Sequence, residues 1–392
     1  MRAAARIVVA ALAIAAGARA QTRVIMLTMS PGDGVAERFG HSAVMIDRDG
    51  ARVVYNYGTF DGNDPQLVRK FLGHELMFWV SAGSWRSTQA QYARRSITLQ
   101  ELDLDDAQAE RLALGFARAA SPSQVPYHYH FFRDNCTTRL RDAVADAVPE
   151  LRATGQAKAG NTFRSLALGI LDTDALYRRG VDLALNAAVD GPTTRWDDAF
   201  LPREFARLLR DTRLADGRPL VKREWSWSGP LHRPQDRSPP WDAAIACALV
   251  GLLGIGALDG GRRRATRTVS AIGLVLFALA VGAVGIGVAV TSLTPYDIAR
   301  ANGNLVAVSP LALVLAPDAL LLAVGRATVR RVRRLRVLLV ALAAPIAIDL
   351  ALHLFGVARQ HHLAVVAFVA VGLALAFVGL RRAAAPPPSI QG

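Results

Sequence analysis

The chain contains two cysteines in contrasting surroundings. Cys247 lies in an apolar run, whereas Cys136 follows Arg133-Asp134-Asn135 in a stretch of mixed polarity. A single thiol outside a membrane, in an oxidising compartment, has no disulfide partner and is open to unwanted oxidation. It is either a buried, inert side chain or a reactive one. From Cys136 onward the spacing predicts a helix, with Leu140, Val144 and Val148 as its apolar stripe, Pro149 near its end, and Asp134 or Asn135 as its cap. A helix N-terminus carries unpaired backbone N–H groups and the positive end of the helix dipole. Both stabilise a thiolate, and the same N–H groups can receive an oxyanion. His41 is the natural base: it opens an apolar strand behind Phe39-Gly40, and a neutral imidazole there can take a thiol proton. The alternative for His41 alone is an ordinary strand histidine.

The elements that must position these groups follow from the surrounding pattern. Gly40 to Ile46 reads as a strand, Asp47 to Gly50 as a turn, and Arg52 to Tyr57 as the returning strand. A turn at Asp49-Gly50 pairs Ala43 with Asn56, and one at Arg48-Asp49 pairs His41 with Asn56. Because side chains repeat every two residues, either register puts Asn56 on the face of His41, where its amide can hold the imidazole in one tautomer. Thr98 to Leu104 is a further expected strand, followed by a helix over Asp105 to Ala119 with Leu112 and Phe116 inward. Tyr127 to Phe132 alternates like a strand. His128 and His130 share one face of it, but with no third ligand they read as a solvated face, and Asp61-Gly62-Asn63-Asp64 lacks calcium-loop spacing and reads as a turn.

The 392 residues are 52% hydrophobic and 20% charged, which excludes a disordered, fibrous or disulfide-built chain. Apolar stretches crowd the C-terminal part, where five spans are expected at 242–258, 269–290, 305–325, 337–357 and 363–380. The net charge of +14 does not point to nucleic acid, because twelve arginines gather at alternate span ends. They are Arg262, Arg263, Arg264 and Arg267; Arg326, Arg330, Arg331, Arg333, Arg334 and Arg336; and Arg381 with Arg382. All fall on the cytoplasmic side if residues 21–240 lie outside, as the positive-inside bias requires. The first twenty residues agree: Arg2 and Arg6, an apolar run and Ala18-Arg19-Ala20 resemble a secretory signal cleaved after Ala20. The expected organisation is thus a signal peptide at 1–20, a thiol-bearing extracytoplasmic domain at 21–210, a Pro/Trp-rich linker at 211–240, a membrane domain at 241–382 and a disordered tail at 383–392. Trp225, Trp227 and Trp241 are either interfacial anchors or part of an ordered loop. At apolar depth, Asp318 and the i, i+4 pair Asp349 and His353 are expected to serve function or interhelix pairing, with structural pairing favoured, and Pro310, Pro317 and Pro345 are read as kinks that open a groove for acyl chains.

Three blocks in order carry a family resemblance. They are Gly32-Asp33 with Arg38-Phe39-Gly40-His41-Ser42-Ala43; Val54-Tyr55-Asn56-Tyr57-Gly58-Thr59-Phe60-Asp61; and Phe132-Arg133-Asp134-Asn135-Cys136-Thr137-Thr138-Arg139-Leu140-Arg141-Asp142. Together they resemble the N-terminal extracytoplasmic domain of the Lnb family of lipoprotein intramolecular transacylases, over about residues 24 to 210. Asn302-Gly303-Asn304-Leu305 and Pro310-Leu311 are a weaker echo of the same family. That family is similar in turn to permuted papain-like thiol enzymes such as lecithin retinol acyltransferase, in which the histidine strand precedes the cysteine helix. The resemblance implies an α+β, permuted papain-like domain followed by an all-α membrane domain, with Cys136 as nucleophile and His41 as base. Asn56 as orienter rests on the strand pairing. Asn135, Tyr57 and Arg139 are the expected substrate-binding residues. The implied substrates are diacylated lipoproteins in the membrane; the chemistry needs no metal, cofactor or external acyl donor, and nothing suggests nucleic acid. A thiol amidase or peptidase acting on cell-wall peptides, and a non-catalytic membrane protein, are the alternatives; the multi-span anchor suits a lipid substrate better than a diffusible peptide.

Overall fold

Asp47 shows why the first hairpin forms where it does. Its buried carboxylate accepts from the Gly50 N–H at 2.9 Å, from Arg23 at 2.6 Å and from Arg52 at 3.0 Å, tying the turn to three consecutive strands. Asp49 and Gly50 both have positive φ, as a tight two-residue turn requires. The computed structural model describes residues 21–34, 37–231, 239–259, 263–357, 360 and 362–383. The expected signal segment 1–20, the tail from 384 on and Arg262 lie outside the described residues.

Strands β1 (Thr22–Met29), β2 (His41–Arg48), β3 (Ala51–Thr59), β4 (Met77–Ser84), β5 (Ser96–Leu102), β6 (Tyr127–His128) and β7 (Val221–Ser228) build one antiparallel sheet in the order β6-β4-β3-β2-β1-β5-β7. In β1, Val24, Ile25, Met26 and Leu27 are all buried, an unbroken apolar run that a central strand covered on both faces demands. Val24 and Met26 join Val44 and Ile46 beneath helices α1 (Asp106–Ala119) and α2 (Cys136–Ala147) and the later helix α3 (Pro202–Asp211). Ile25 and Leu27 point the other way, to Met45, Ile97 and Leu99, under Trp85, Trp225 and Trp227. Helix α1 begins at the capping box of Asp105 and Gln108 and buries Leu112 and Phe116; complete burial of one such side chain contributes about 2–3 kcal/mol.

Two expectations change here. The alternating run Tyr127 to Phe132 is a strand only at Tyr127–His128; a turn follows, closed by a bridge between His130 and Asp134, because His130 Nδ1 accepts from the N–H groups of Phe132 and Arg133. Within the Pro/Trp-rich stretch 211–240, residues 221–228 form the regular edge strand β7, with Trp225 opposite Leu99 and Trp227 opposite Ile97. Proline is compatible with this because Pro219 and Pro230 flank the strand instead of interrupting it.

The chain divides into two compact units, the described residues of Met1–Leu67, Glu75–Asn161 and Thr193–Gln235, and those of Val68–His74, Thr162–Pro192 and Asp236–Gly392. The second unit holds helices α4 (Trp241–Asp259), α5 (Arg264–Ser292), α6 (Ala316–Ala323), α7 (Val329–Leu354) and α8 (Leu363–Ala383). Among the described residues, five helical segments are long and apolar enough to cross a membrane: Trp241–Leu258, Arg264–Ser292, Asn304–Ala323, Val329–Leu354 and Leu363–Leu380. The third is interrupted: a 3₁₀ turn at Pro310–Leu315 precedes α6. Gly282 and Gly285 of α5 let that irregular segment approach, since a Cβ at either would fall within 2.4 Å of Leu313 or of the Val308 carbonyl. Asp318 is paired with Arg334 at 3.4 Å, and Pro345 lines an apolar cavity of about 260 Å³ together with Phe277, Leu305, Leu311 and Leu373. The result is an α+β domain followed by a helical membrane domain.

Candidate functional site

Helix α2 is anchored by Asn135. Its Oδ1 accepts from Thr137 N–H at 2.8 Å and Thr138 N–H at 2.9 Å, while Thr138 Oγ1 accepts from the Asn135 N–H, completing a capping box. Its Nδ2 donates to the carbonyls of Phe131 and Phe200, so the loop entering the helix is fixed as well. Leu140, Val144 and Val148 are fully buried as the spacing required, and they press the helix onto the sheet. Cys136 is therefore held as the first helical residue, buried at 6% exposure.

Strand β2 brings His41 to the same place. Gly40 has φ +79°, and a Cβ there would lie 2.8 Å from the Met29 carbonyl, so only glycine lets the chain turn into β2 beside β1. The hairpin adopts the Asp49-Gly50 register, with Arg48 opposite Ala51 and Val44 opposite Tyr55. Asn56 Oδ1 then lies 3.3 Å from His41 Nε2, and the Tyr92 ring lies parallel to the imidazole at 6.2 Å. Gly58, at φ +83°, clears the space between: a Cβ would meet Tyr129 at 3.2 Å and Cys136 Cβ at 3.8 Å.

These placements set the electrostatics of the sulfur. Burial raises the thiol pKa, but the His41 charge, a hydrogen bond from the His41 ring, the Ser42 N–H and Thr137 together outweigh it, leaving Cys136 at about 6 against an ordinary 9. Thr137 Oγ1 lies 3.7 Å from the sulfur and donates to Ser42 Oγ at 3.1 Å, linking helix to strand. The Tyr129 hydroxyl donates to the sulfur at 3.9 Å and also faces the Cys136 N–H; burial and then the neighbouring thiolate push its own pKa well up, so it stays a proton donor. Ser42, Gly58, Thr137 and Tyr129 were not singled out from sequence, although Ser42, Gly58 and Thr137 lie inside the three blocks that were.

The structure thus brings Cys136, His41 and Asn56 together. The three expected substrate contacts are engaged by the protein itself. Asn135 is the helix cap, Tyr57 is buried against Phe116, and Arg139 makes paired bonds to Asp134 at 2.6 and 2.8 Å while stacking 3.5 Å over the Tyr127 ring. Residues 14–169 match the model of the Lnb N-terminal periplasmic domain. That segment is similar to the periplasmic domain of the Lnb family. All three clustered residues fall inside the matched Lnb segment, and with its five apolar helices the chain is a multi-pass membrane protein bearing an extracytoplasmic domain. No curated protein and no solved structure matches the chain.

One consequence is local. Removing the Asn56 acceptor with Asn56→Ala frees the His41 ring at a cost of about 1–1.5 kcal/mol, hence about 10-fold in the rate of any reaction that uses the pair. Asn56→Asp, which keeps an acceptor oxygen, should recover most of it. Turnover measured beside thermal melting checks this, and an unchanged rate in Asn56→Ala removes the orienting role.

Proposed function

We propose that this chain is a Cys-His acyltransferase that moves an ester-linked acyl chain of a diacylated lipoprotein onto the α-amine of the same molecule. The observation that carries this reading is the convergence of a low-pKa thiol, an imidazole and an orienting amide in an Lnb-like domain attached to five apolar helices. The family resemblance implies a permuted papain-like domain, and a histidine strand that precedes the cysteine helix agrees with it.

The chemistry proceeds in two balanced halves. His41 holds the thiol proton, and Cys136 Sγ attacks the glyceryl ester carbonyl; the oxyanion is received by the Cys136 N–H and the Tyr129 hydroxyl. The C–O bond breaks, the proton passes from His41 to the departing alcohol, and a thioester remains. The lipoprotein's α-amine, with an ordinary pKa near 8, then attacks the thioester while His41 takes its proton. The C–S bond breaks and returns the thiolate. A thioester reacts better with an amine than with water, so a thiol nucleophile favours transfer over hydrolysis. Net, one ester is exchanged for one amide, giving an N-acyl lyso-lipoprotein with no external donor.

The test is mass spectrometry of a reporter lipoprotein in cells lacking other N-acylation. Expression of this chain should produce the N-acyl lyso-form. A reporter left diacylated with a free amine overturns the proposal, and altered cell-wall peptides would favour the thiol amidase.

A further inference from the structure

Four ring nitrogens at the extracytoplasmic end of the last two spans create a charge problem. His353 Nδ1 lies 2.9 Å from the Asp349 carbonyl oxygen and its Nε2 lies 2.9 Å from the Gln360 carbonyl oxygen. His362 Nδ1 lies 3.0 Å from that same Gln360 oxygen, and its Nε2 lies 3.0 Å from Asp349 Oδ2. Every one of these nitrogens faces an acceptor, yet a neutral imidazole has only one N–H. Two neutral rings would leave two lone pairs against oxygen lone pairs, in a place where the side chains of Asp349, His353 and His362 are 13%, 10% and 3% exposed. The two missing donors require extra protons on the imidazoles or on the Asp349 carboxyl, or a cation in their place.

We propose that Asp349, His353 and His362 bind one divalent transition-metal ion of the Zn²⁺ class. Asp349 Oδ2 is 3.0 Å from His362 Nε2 and 3.4 Å from His353 Nδ1, and one ligand atom from each residue lies within 4.8 Å of the others. A tetrahedral ion with bonds of about 2.1 Å sets neighbouring ligands about 3.4 Å apart, so the three are spaced to take it. Two imidazoles and a carboxylate suit Zn²⁺, whereas Mg²⁺ and Ca²⁺ prefer oxygen alone. The outer nitrogens supply the second argument. His353 Nε2 and His362 Nδ1 converge on the single Gln360 carbonyl, the kind of acceptor that fixes the tautomer of a metal-bound histidine. With each ring neutral, both N–H groups go to Gln360, and both free lone pairs go to the ion.

The ion joins more than its ligands. The Gln360 amide accepts from Gly303 N–H at 2.8 Å and donates to Asn302 Oδ1 at 2.9 Å, and the amides of Asn302 and Asn304 donate to the Leu183 carbonyl. Asn186 extends the network to the carbonyls of Asp297 and Arg300. The metal is thus a pin at the point where α7, α8, the start of the third span and the 183–186 segment meet.

The test uses the full chain in detergent with a histidine-free affinity tag, stripped by chelator and titrated with zinc chloride. Elemental analysis should find one zinc per chain, with a melting temperature raised by about 5 °C or more at saturation. Asp349→Asn, and the double variant His353→Gln with His362→Gln, should lose at least tenfold in bound zinc and all of the shift while eluting as the wild type does. Cobalt(II) provides a readout on wild-type protein alone, through visible bands of a tetrahedral nitrogen-oxygen site. Absence of saturable zinc or cobalt uptake by the wild type overturns the proposal, as does a melting temperature that follows pH and ignores zinc. None of these readouts passes through acyl transfer, so they stand apart from the function proposed above.

Discussion

Under the acyl-transfer reading proposed above, Cys136→Ala should remove N-acyl lyso-lipoprotein formation, by at least about 10⁴-fold, because the Cys136 sulfur is the atom that carries the acyl chain between ester and amine. The loss will not come from unfolding. The side chain sits at the helix start beside Leu140 and is small, so its truncation to alanine costs about 1 kcal/mol, a minor part of a domain's stability. Cys136→Ser sharpens the result. A serine hydroxyl fills the same space and meets the same His41, Ser42 and Thr137 groups, but they cannot ionise it near neutral pH as they ionise the thiol, so the serine variant should be as inactive as alanine. Product measured by mass spectrometry, with melting curves of the purified variants, decides the matter. An alanine variant that still forms product would leave the cluster without a chemical role.

The parts of this arrangement visible in sequence are those written in local periodicity. Alternation and the Asp49-Gly50 turn predicted that Asn56 shares a face with His41, and the 3.3 Å contact follows from that register. The stripe of Leu140, Val144 and Val148 likewise placed Cys136 at a helix start, and of the two candidate caps it is Asn135 that turns its side chain onto the helix N–H groups. What failed was set by partners distant in sequence. Tyr127 to Phe132 alternates convincingly, but His130 bends the chain by accepting two nearby N–H groups, which no period reports. Trp225-Ser226-Trp227-Ser228 does alternate, and its signal was outweighed by prolines that merely bound it. Asp349 and His353 were legible as an i, i+4 pair, whereas His362 meets Asp349 from the residue before α8, a contact that no sequence period reports. The clustering of residues 162–192 with the membrane helices depends on Asn186, Asn302 and Asn304 meeting backbone carbonyls, contacts that leave no pattern in composition.

His41→Ala gives the second large effect and separates two roles of the imidazole. As a base it should be worth about 10²–10⁴ in turnover. As a neighbouring charge and hydrogen-bond donor it holds the thiol down, and without it burial is left to raise the pKa toward or beyond the ordinary 9. Alkylation by a small neutral thiol reagent reads this directly. In the wild type the rate should rise with pH through a midpoint near 6, so most of Cys136 is thiolate at pH 7; in His41→Ala about 1% or less is, and the rate at pH 7 falls about 100-fold. The sign also fixes the stability profile. A thiol ionised more readily folded than unfolded contributes its full stabilisation above the unfolded value near 9, and loses it as pH falls through about 6; His41→Ala should flatten that window. If alkylation in the variant keeps its midpoint near 6, the thiolate is held by the Ser42 N–H, Thr137 and the helix end alone, and His41 is left with proton transfer only.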